Sequence, residues 1–336
     1  MVASRPWMLN SSVQAASTAA STTGRYSGRQ PAMTALIAWR FPAFVHVSNL
    51  ANVFNDTAPL MILAIGQMIV ILTKCIDLSV TATLALTGMV AALLNGAGVP
   101  LPLIILAALA LGAVLGAVNG LLVWKVGIPS IVVTLGTMTI YRGIIFLMTD
   151  GKWVNAHEMT DGFKALPRAV LLGLPVMSWV AIALIGAFAV VMNRTTLGRA
   201  FFAVGGNPHA AVYTGLNVGR TQFAAFVLSG ALAGLTGYLW VARYAVAYVD
   251  VASGFELNVI AACVIGGISI AGGVGSVSGV ILGAIFLGVI ANALPVIDIS
   301  PFWQMAISGA AIIVAVAFNA SQSRVKGRII LKQVEA

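Results

Sequence analysis

The chain has 336 residues, of which 60% are hydrophobic and only 8% charged, and its mean hydropathy is +1.01. Eighteen Lys and Arg against nine Asp and Glu give a net charge of +9, spread through connecting segments rather than gathered into a stripe. This balance excludes a water-soluble surface and a nucleic-acid module, and long apolar blocks exclude an outer-membrane barrel, whose strands read as short alternating segments.

Residues 1–31 are rich in Ser, Thr and Ala, carry Arg5, Arg25 and Arg29 with no acid, and lack the compact apolar core of a secretory signal. They read as a disordered basic tail or an over-extended start, with a transit-like segment as the alternative. A membrane domain is expected over 32–319 and a basic tail over 320–336. Within the domain, apolar blocks fall at 32–48, 57–74, 79–96, 101–124, 129–148, 174–192, 221–242, 257–272, 276–294 and 302–319. The longer ones match the ~20 residues that cross a hydrocarbon core of roughly 30 Å. The first is weak, because Arg40 and Pro42 interrupt it.

Loop charge sets the expected orientation. Loop 149–173 carries three acids and three bases, whereas loop 193–220 carries Arg194, Arg199 and Arg220 with no acid, and the tail carries Arg324, Lys326, Arg328 and Lys332. Placing the last two inside puts twelve Lys and Arg in the cytoplasm and four outside, with both termini cytoplasmic. Gly112–Val118 in the fourth block matches Gly279–Ile285 in the ninth, and the two run in opposite directions. An inverted repeat of blocks 2–5 and 7–10 would produce that match, as in carriers with a central site; two glycine-rich packing helices would also produce it by chance.

Glycines at intervals of four, as in Gly112/Gly116/Gly120, Gly230/Gly234 and Gly275/Gly279/Gly283, make ridges on which helices approach closely in lipid. The denser run Gly266–Ser276 lacks the Lys-Ser/Thr of a phosphate loop and reads either as a broken intramembrane segment or as a plain cytoplasmic turn. Enzyme signatures are missing. No zinc-protease, Walker or nucleophile-elbow motif occurs, Cys75 and Cys263 form no pair and read as buried small hydrophobes, and His46, His157 and His209 fall near or outside the membrane edges. No metal site or cofactor is expected.

Asp77 is the one acid placed close to the interior of a block, with Lys74 a helical turn before it, and an interfacial ion pair is the plain account of the two. Arg142, at the outer end of its block, is expected to snorkel. Gln67, Asp77, Ser79, Asn119, Thr134, Asn292 and Gln304 remain as polar groups in apolar helices. Uncharged amides and hydroxyls suit a neutral polyhydroxylated solute, and the same groups can simply join helices.

Loop 193–220 is the most informative. Apolar residues at helical spacing follow Thr195 and Thr196, Gly205-Gly206-Asn207-Pro208 breaks them, and a second short helix is expected from Pro208 to Gly215. Two short helices under a membrane make a docking knob; an ordinary surface loop is the competing account.

The block formed by Gly198, Arg199, Ala203, Gly205, Gly206, Asn207, Pro208, Ala210 and Gly215 resembles the ATPase-coupling loop of bacterial ABC-importer permeases for monosaccharides, the ribose/galactose/rhamnose group. Cys75–Val80, Thr134–Gly143 and Gly266–Gly279 are similar to further segments of that family, in the same order. Lys152–Met159 and Ile299–Met305 look most like the rhamnose-transport permeases. The resemblance spans about 40–330. It implies an all-α polytopic fold of about ten helices with an inverted repeat, like the cobalamin importer. It also implies a non-catalytic permease in the bacterial inner membrane, working with a second permease subunit, two cytoplasmic ATPase subunits and a periplasmic sugar-binding protein. The family's first span is normally a full apolar helix, from which Arg40 and Pro42 depart. An autonomous facilitator or channel needing no ATPase is the alternative from another class.

Overall fold

The computed structural model describes residues 47–296 and the single positions 303, 306, 309, 310 and 313. All but the last two residues of the first apolar block, Gln304, both proposed tails and most of the tenth block lie outside the described residues. The chain divides into two units after Phe54; residues 47–54 of the first are the opening turns of a helix, and the other described residues belong to the second.

Among the described residues the fold is all-α apart from one minimal hairpin. The helices are α1 (Val47–Leu72), α2 (Val80–Gly96), α3 (Leu101–Leu121), α4 (Ser130–Thr149), α5 (Asp161–Arg168), α6 (Val176–Arg194), α7 (Thr196–Gly206), α8 (Pro208–Tyr213), α9 (Val218–Tyr244), α10 (Phe255–Ile265) and α11 (Val277–Val296). The hairpin pairs β1 (Val170–Leu171) with β2 (Leu174–Pro175). Among the described residues six helices are long and apolar enough to cross a membrane, namely α1, α3, α4, α6, α9 and α11, which makes the chain a polytopic membrane protein. The eight blocks predicted between 57 and 294 each overlap one of the long or short apolar helices.

Glycine explains the tightest contact. A methyl group on Gly112 would run into Gly230 O, one on Gly116 into Phe226 O and one on Gly234 into Ala108 O, so α3 and α9 cross with their backbones nearly touching. With no apolar driving force between helices in lipid, that closeness supplies the dispersion contact which holds them. Gly266 and Gly283 bring α10 and α11 together in the same way, and Gly288 on α11 abuts Thr57 on α1.

α9 serves as a ruler of depth. Gln222 donates to Thr73 O (3.2 Å), Gly66 faces Ser229, Gly237 faces Leu84 O and Thr87, and Gly88 faces Val241. Thr73 therefore lies at one end of the bundle, whereas Val80, one turn before Leu84, begins α2 near mid-depth. The connecting residues Thr73–Ser79 rise between these levels without helical structure. At 17 residues α2 is about 25 Å long and at 11 residues α10 is about 17 Å, so each falls short of a full crossing.

Three expectations are corrected. Block 257–272 is not one helix: α10 stops at Ile265, and positive φ at Gly267, Gly272 and Gly273 turns the following backbone back on itself. Lys74 and Asp77 form no ion pair, because Lys74 is exposed in a left-handed turn (φ 65°) while Asp77 is 2% exposed and points inward. Arg142 does not reach solvent alone; it donates to Val249 O (2.7 Å) and lies 3.9 Å from Asp250. Cys75 and Cys263 are buried and unpaired, as expected.

Candidate functional site

One end of the bundle is organised around the backbone of Gly205. Thr195 caps α7 by accepting from Gly198 N (3.2 Å), and Asn207 caps α8 by accepting from Ala210 N (3.1 Å), with Pro208 in the first helical position. The two short helices predicted for this loop are thus set by their own caps. α7 is held down by Gly198 against Val191 and Met192 and by Gly205 against Leu72 O and Gly273 N, where no side chain fits. Gly273 N in turn donates to Leu72 O (3.0 Å). The buried turn of α7 is therefore seated on the last residue of α1, from which segment 73–79 leads to α2, and on segment 266–276 following α10.

The other face is free of the bundle. Arg199, Ala203, Gly206, Asn207, Ala210 and Gly215 are exposed, and Gly206 has open space where a side chain would start. Val212 and Tyr213 are 58% and 92% exposed. The nine residues picked from sequence thus split into a seat, Gly198 and Gly205, an outward set, and the half-buried Pro208 between them.

Above the seat, four of the polar residues picked from sequence meet. Asp77 Oδ1 accepts from Ser79 N (2.9 Å) and Ser79 Oγ (2.7 Å), and Asn119 Nδ2 donates to Ser79 Oγ (2.8 Å). Gln67, with its amide turned to satisfy both groups, donates to Asp77 O (3.0 Å) and accepts from Asp77 N (3.2 Å). Thr134 donates to Ile76 O (3.3 Å) and to Ser130 O (2.9 Å), while Ser130 Oγ accepts from Ile76 N (3.1 Å). The broken backbone of 73–79 is thus satisfied by α1, α4 and α9, with Asn119 on α3 bonding the Ser79 side chain, which is the condition for non-helical chain at membrane depth. Gln67, Asp77, Ser79, Asn119 and Thr134 are all at most 2% exposed.

Glu256 went unnoticed in the sequence. Thr81 Oγ1 donates to Glu256 Oε2 (2.7 Å), joining the first turn of α2 to the first turn of α10. The positive ends of two short helices converge there, each with a carboxylate close by, Asp77 and Glu256, and the opposite signs favour this meeting. The apolar block that predicted α10 begins one residue after Glu256, which is why periodicity passed over it. Asn292 belongs elsewhere. It bonds Gly288 O (2.9 Å) on its own helix and lines a pocket of about 270 Å³ with Asp56, Trp240, Phe255 and Asn258.

The opposite end of the bundle is closed by polar ties. Arg243 pairs with Asp56 and donates to Asn55 O (2.6 Å), Arg168 donates to Arg243 O (2.9 Å), and Asn95 donates to Thr160 Oγ1 (2.9 Å). Val154 and Ala247 exchange backbone hydrogen bonds, and Trp153 stacks on Tyr248 at 4.7 Å. Among the described residues no cluster of His, Cys, Asp and Glu could hold a metal ion.

The family described as branched-chain amino acid transport system / permease component matches residues 49–316. The ribose import permease protein of Escherichia coli K12 is 38% identical over 286 residues, 84% of this chain and 89% of that protein. Its counterpart from Haemophilus influenzae is 35% identical over the same shares to within one per cent, 84% and 88%. The autoinducer 2 import system permease protein of Salmonella paratyphi B is 39% identical over 279 residues, 82% of this chain and 79% of that protein. No solved structure matches the chain. The chain belongs to the permease-component family of ABC importers, whose members are non-catalytic membrane subunits driven by ATP hydrolysis on a separate protein.

Proposed function

We propose that the chain is the membrane-spanning subunit of an ATP-driven importer in the bacterial inner membrane, forming the path for a monosaccharide, with rhamnose favoured over ribose. The seat at Gly205 carries this reading. Its outward face is a projecting knob that a cytoplasmic ATPase can push, and its buried face rests on Leu72, from which segment 73–79 leads to α2, and on Gly273, within the segment 266–276 that follows α10. Closure of two ATPase subunits on the knobs of two permease copies would tilt these segments. The junction of Thr81 with Glu256 would then part or close, exchanging inward- and outward-open states as packed elements slide.

The names of the relatives support a sugar or sugar-like cargo, since two are ribose permeases and one imports autoinducer 2. Rhamnose rests on the segments Lys152–Met159 and Ile299–Met305. The first of these stacks Trp153 on Tyr248 at the end opposite the knob, where a periplasmic binding protein would deliver its cargo. Loop charge supports cytoplasmic termini and a cytoplasmic knob. Within this reading, Gln67, Asp77, Ser79, Asn119 and Thr134 hold the broken segment in register beside the path.

Reconstitution tests it. Proteoliposomes containing the permease, its ATPase and its binding protein should accumulate radiolabelled L-rhamnose, faster than D-ribose, only with ATP inside the compartment that holds the ATPase. Steady uptake by the permease alone would overturn the proposal in favour of an autonomous facilitator.

A further inference from the structure

The pocket that holds Asn292 lies at the end of the bundle opposite the knob, between α1, α9, α10 and α11. Its walls are unlike the closed network around Asp77. Trp240 contributes a broad ring, edge-to-face with Phe255 at 5.3 Å and tilted against Tyr244 at 5.2 Å, so three aromatic rings line the pocket. Asn258 and Asn292 contribute two half-buried amides. Among the described residues the Asn258 side chain has no hydrogen-bond partner, and Asn292 uses only its amide nitrogen, on Gly288 O. Asp56 is at the rim, but Arg243 already neutralises it.

Charge, size and chemistry converge on one ligand class. A rim whose acid is paired offers no site for a net ion. Unsatisfied carboxamides supply both donors and acceptors, which suits hydroxyl groups. Aromatic faces cover the C–H side of a sugar ring without requiring hydrogen bonds from it. A volume of about 270 Å³ sits at the lower edge of the roughly 300–1,000 Å³ typical of small-molecule pockets, the size for one monosaccharide rather than an oligosaccharide.

We infer that this pocket is the first sugar-contacting site of the permease, in which Trp240 stacks on the ring, Phe255 packs against its edge, and Asn258 and Asn292 exchange hydrogen bonds with its hydroxyls. The inference rests on the sugar-importer reading and adds the residues and the end of the bundle at which sugar is received. It also separates two roles that sequence polarity alone runs together: Asn292 contacts cargo, whereas Asn119 and Gln67 hold helices.

The test uses the assembled importer in proteoliposomes, with L-rhamnose and D-ribose as probes. N258A and N292A should each lower the sugar imported per ATP hydrolysed at least tenfold, and N258Q should alter the ratio of the two sugars. As a second measurement, N258C in the assembled importer should react with a methanethiosulfonate at least fivefold more slowly with sugar-loaded than with sugar-free binding protein; the native cysteines are buried. If the wild type imports sugar while N258A and N292A keep its sugar-to-ATP ratio and N258C labels at one rate throughout, the pocket assignment alone falls. If the wild type imports neither sugar, the importer reading falls and takes the pocket with it.

Discussion

Asp77 shows how much a single buried carboxylate can organise. Its oxygen satisfies both donors of Ser79, and its own backbone is bracketed by Gln67, so the broken segment depends on this one residue from two sides. Replacing it with Ala leaves a buried N–H and O–H without an acceptor, at about 1–3 kcal/mol each. Asp77→Ala should therefore lower the unfolding temperature in detergent and reduce uptake severalfold, with Asp77→Asn milder because one oxygen remains to accept from Ser79. Wild-type uptake by Asp77→Ala would make the acid a bystander. Picking polar residues out of apolar sequence found Gln67, Asp77, Ser79 and Asn119, because an uncompensated polar group in lipid is costly and conspicuous. Their partnership was illegible, since Asn119 is forty residues from Ser79 and the link exists only once α2 and α3 pack. The same polarity rule grouped Asn292 with them, although it lies in a separate pocket.

At the scale of elements, caps were legible, and the glycine-dense run Gly266–Ser276 marked a break without fixing where α10 stops. Thr195 and Asn207-Pro208 announce two helix starts by side-chain chemistry that acts within three residues, so α7 and α8 could be drawn from the sequence. α10 ends at Gly266 and Gly267, and the chain's return depends on Gly272 and Gly273, whose close approach to Leu72 and Gly206 no local pattern carries. That dependence separates neighbouring glycines in a way an experiment can detect. Gly206→Trp and Ala210→Arg project from exposed positions, so each should abolish co-purification of the ATPase while the permease still inserts and unfolds at the wild-type temperature. Gly205→Ala forces a methyl into Leu72 O and should lower that temperature itself. Retained ATPase binding by Gly206→Trp would remove α7 and α8 from the docking surface.

For the molecule as a whole, the α3–α9 crossing sets the level of every other part, because α9 is the helix against which α1, α2 and α3 are registered. Gly112→Ile would drive a branched side chain into the backbone at Gly230 and Gly234, where neither wall can yield; the cost should lie at or above the roughly 3 kcal/mol upper range of core overpacking. Gly186→Ile on α6 meets nothing within 4 Å and serves as the contrasting variant. The first should shift the protein to aggregates on size-exclusion chromatography in detergent, and the second should leave a single peak.

Orientation is the remaining property of the whole chain, and it follows from loop charge rather than from packing. Tyr213, beside the knob, is 92% exposed, and Leu172, in the hairpin at the other end, is 85% exposed, so cysteine at either place would be open to a reagent. Cys75 and Cys263 are buried and stay silent in the folded protein. In intact cells whose outer membrane has been opened, an impermeant maleimide should label Leu172→Cys and not Tyr213→Cys; inverted membrane vesicles should reverse the pattern. Labelling of Tyr213→Cys from outside would put the knob on the periplasmic face, beyond reach of any cytoplasmic ATPase. The charge count and the coupling proposal would then fail together, because both require α7 and α8 to face the side on which ATP is hydrolysed.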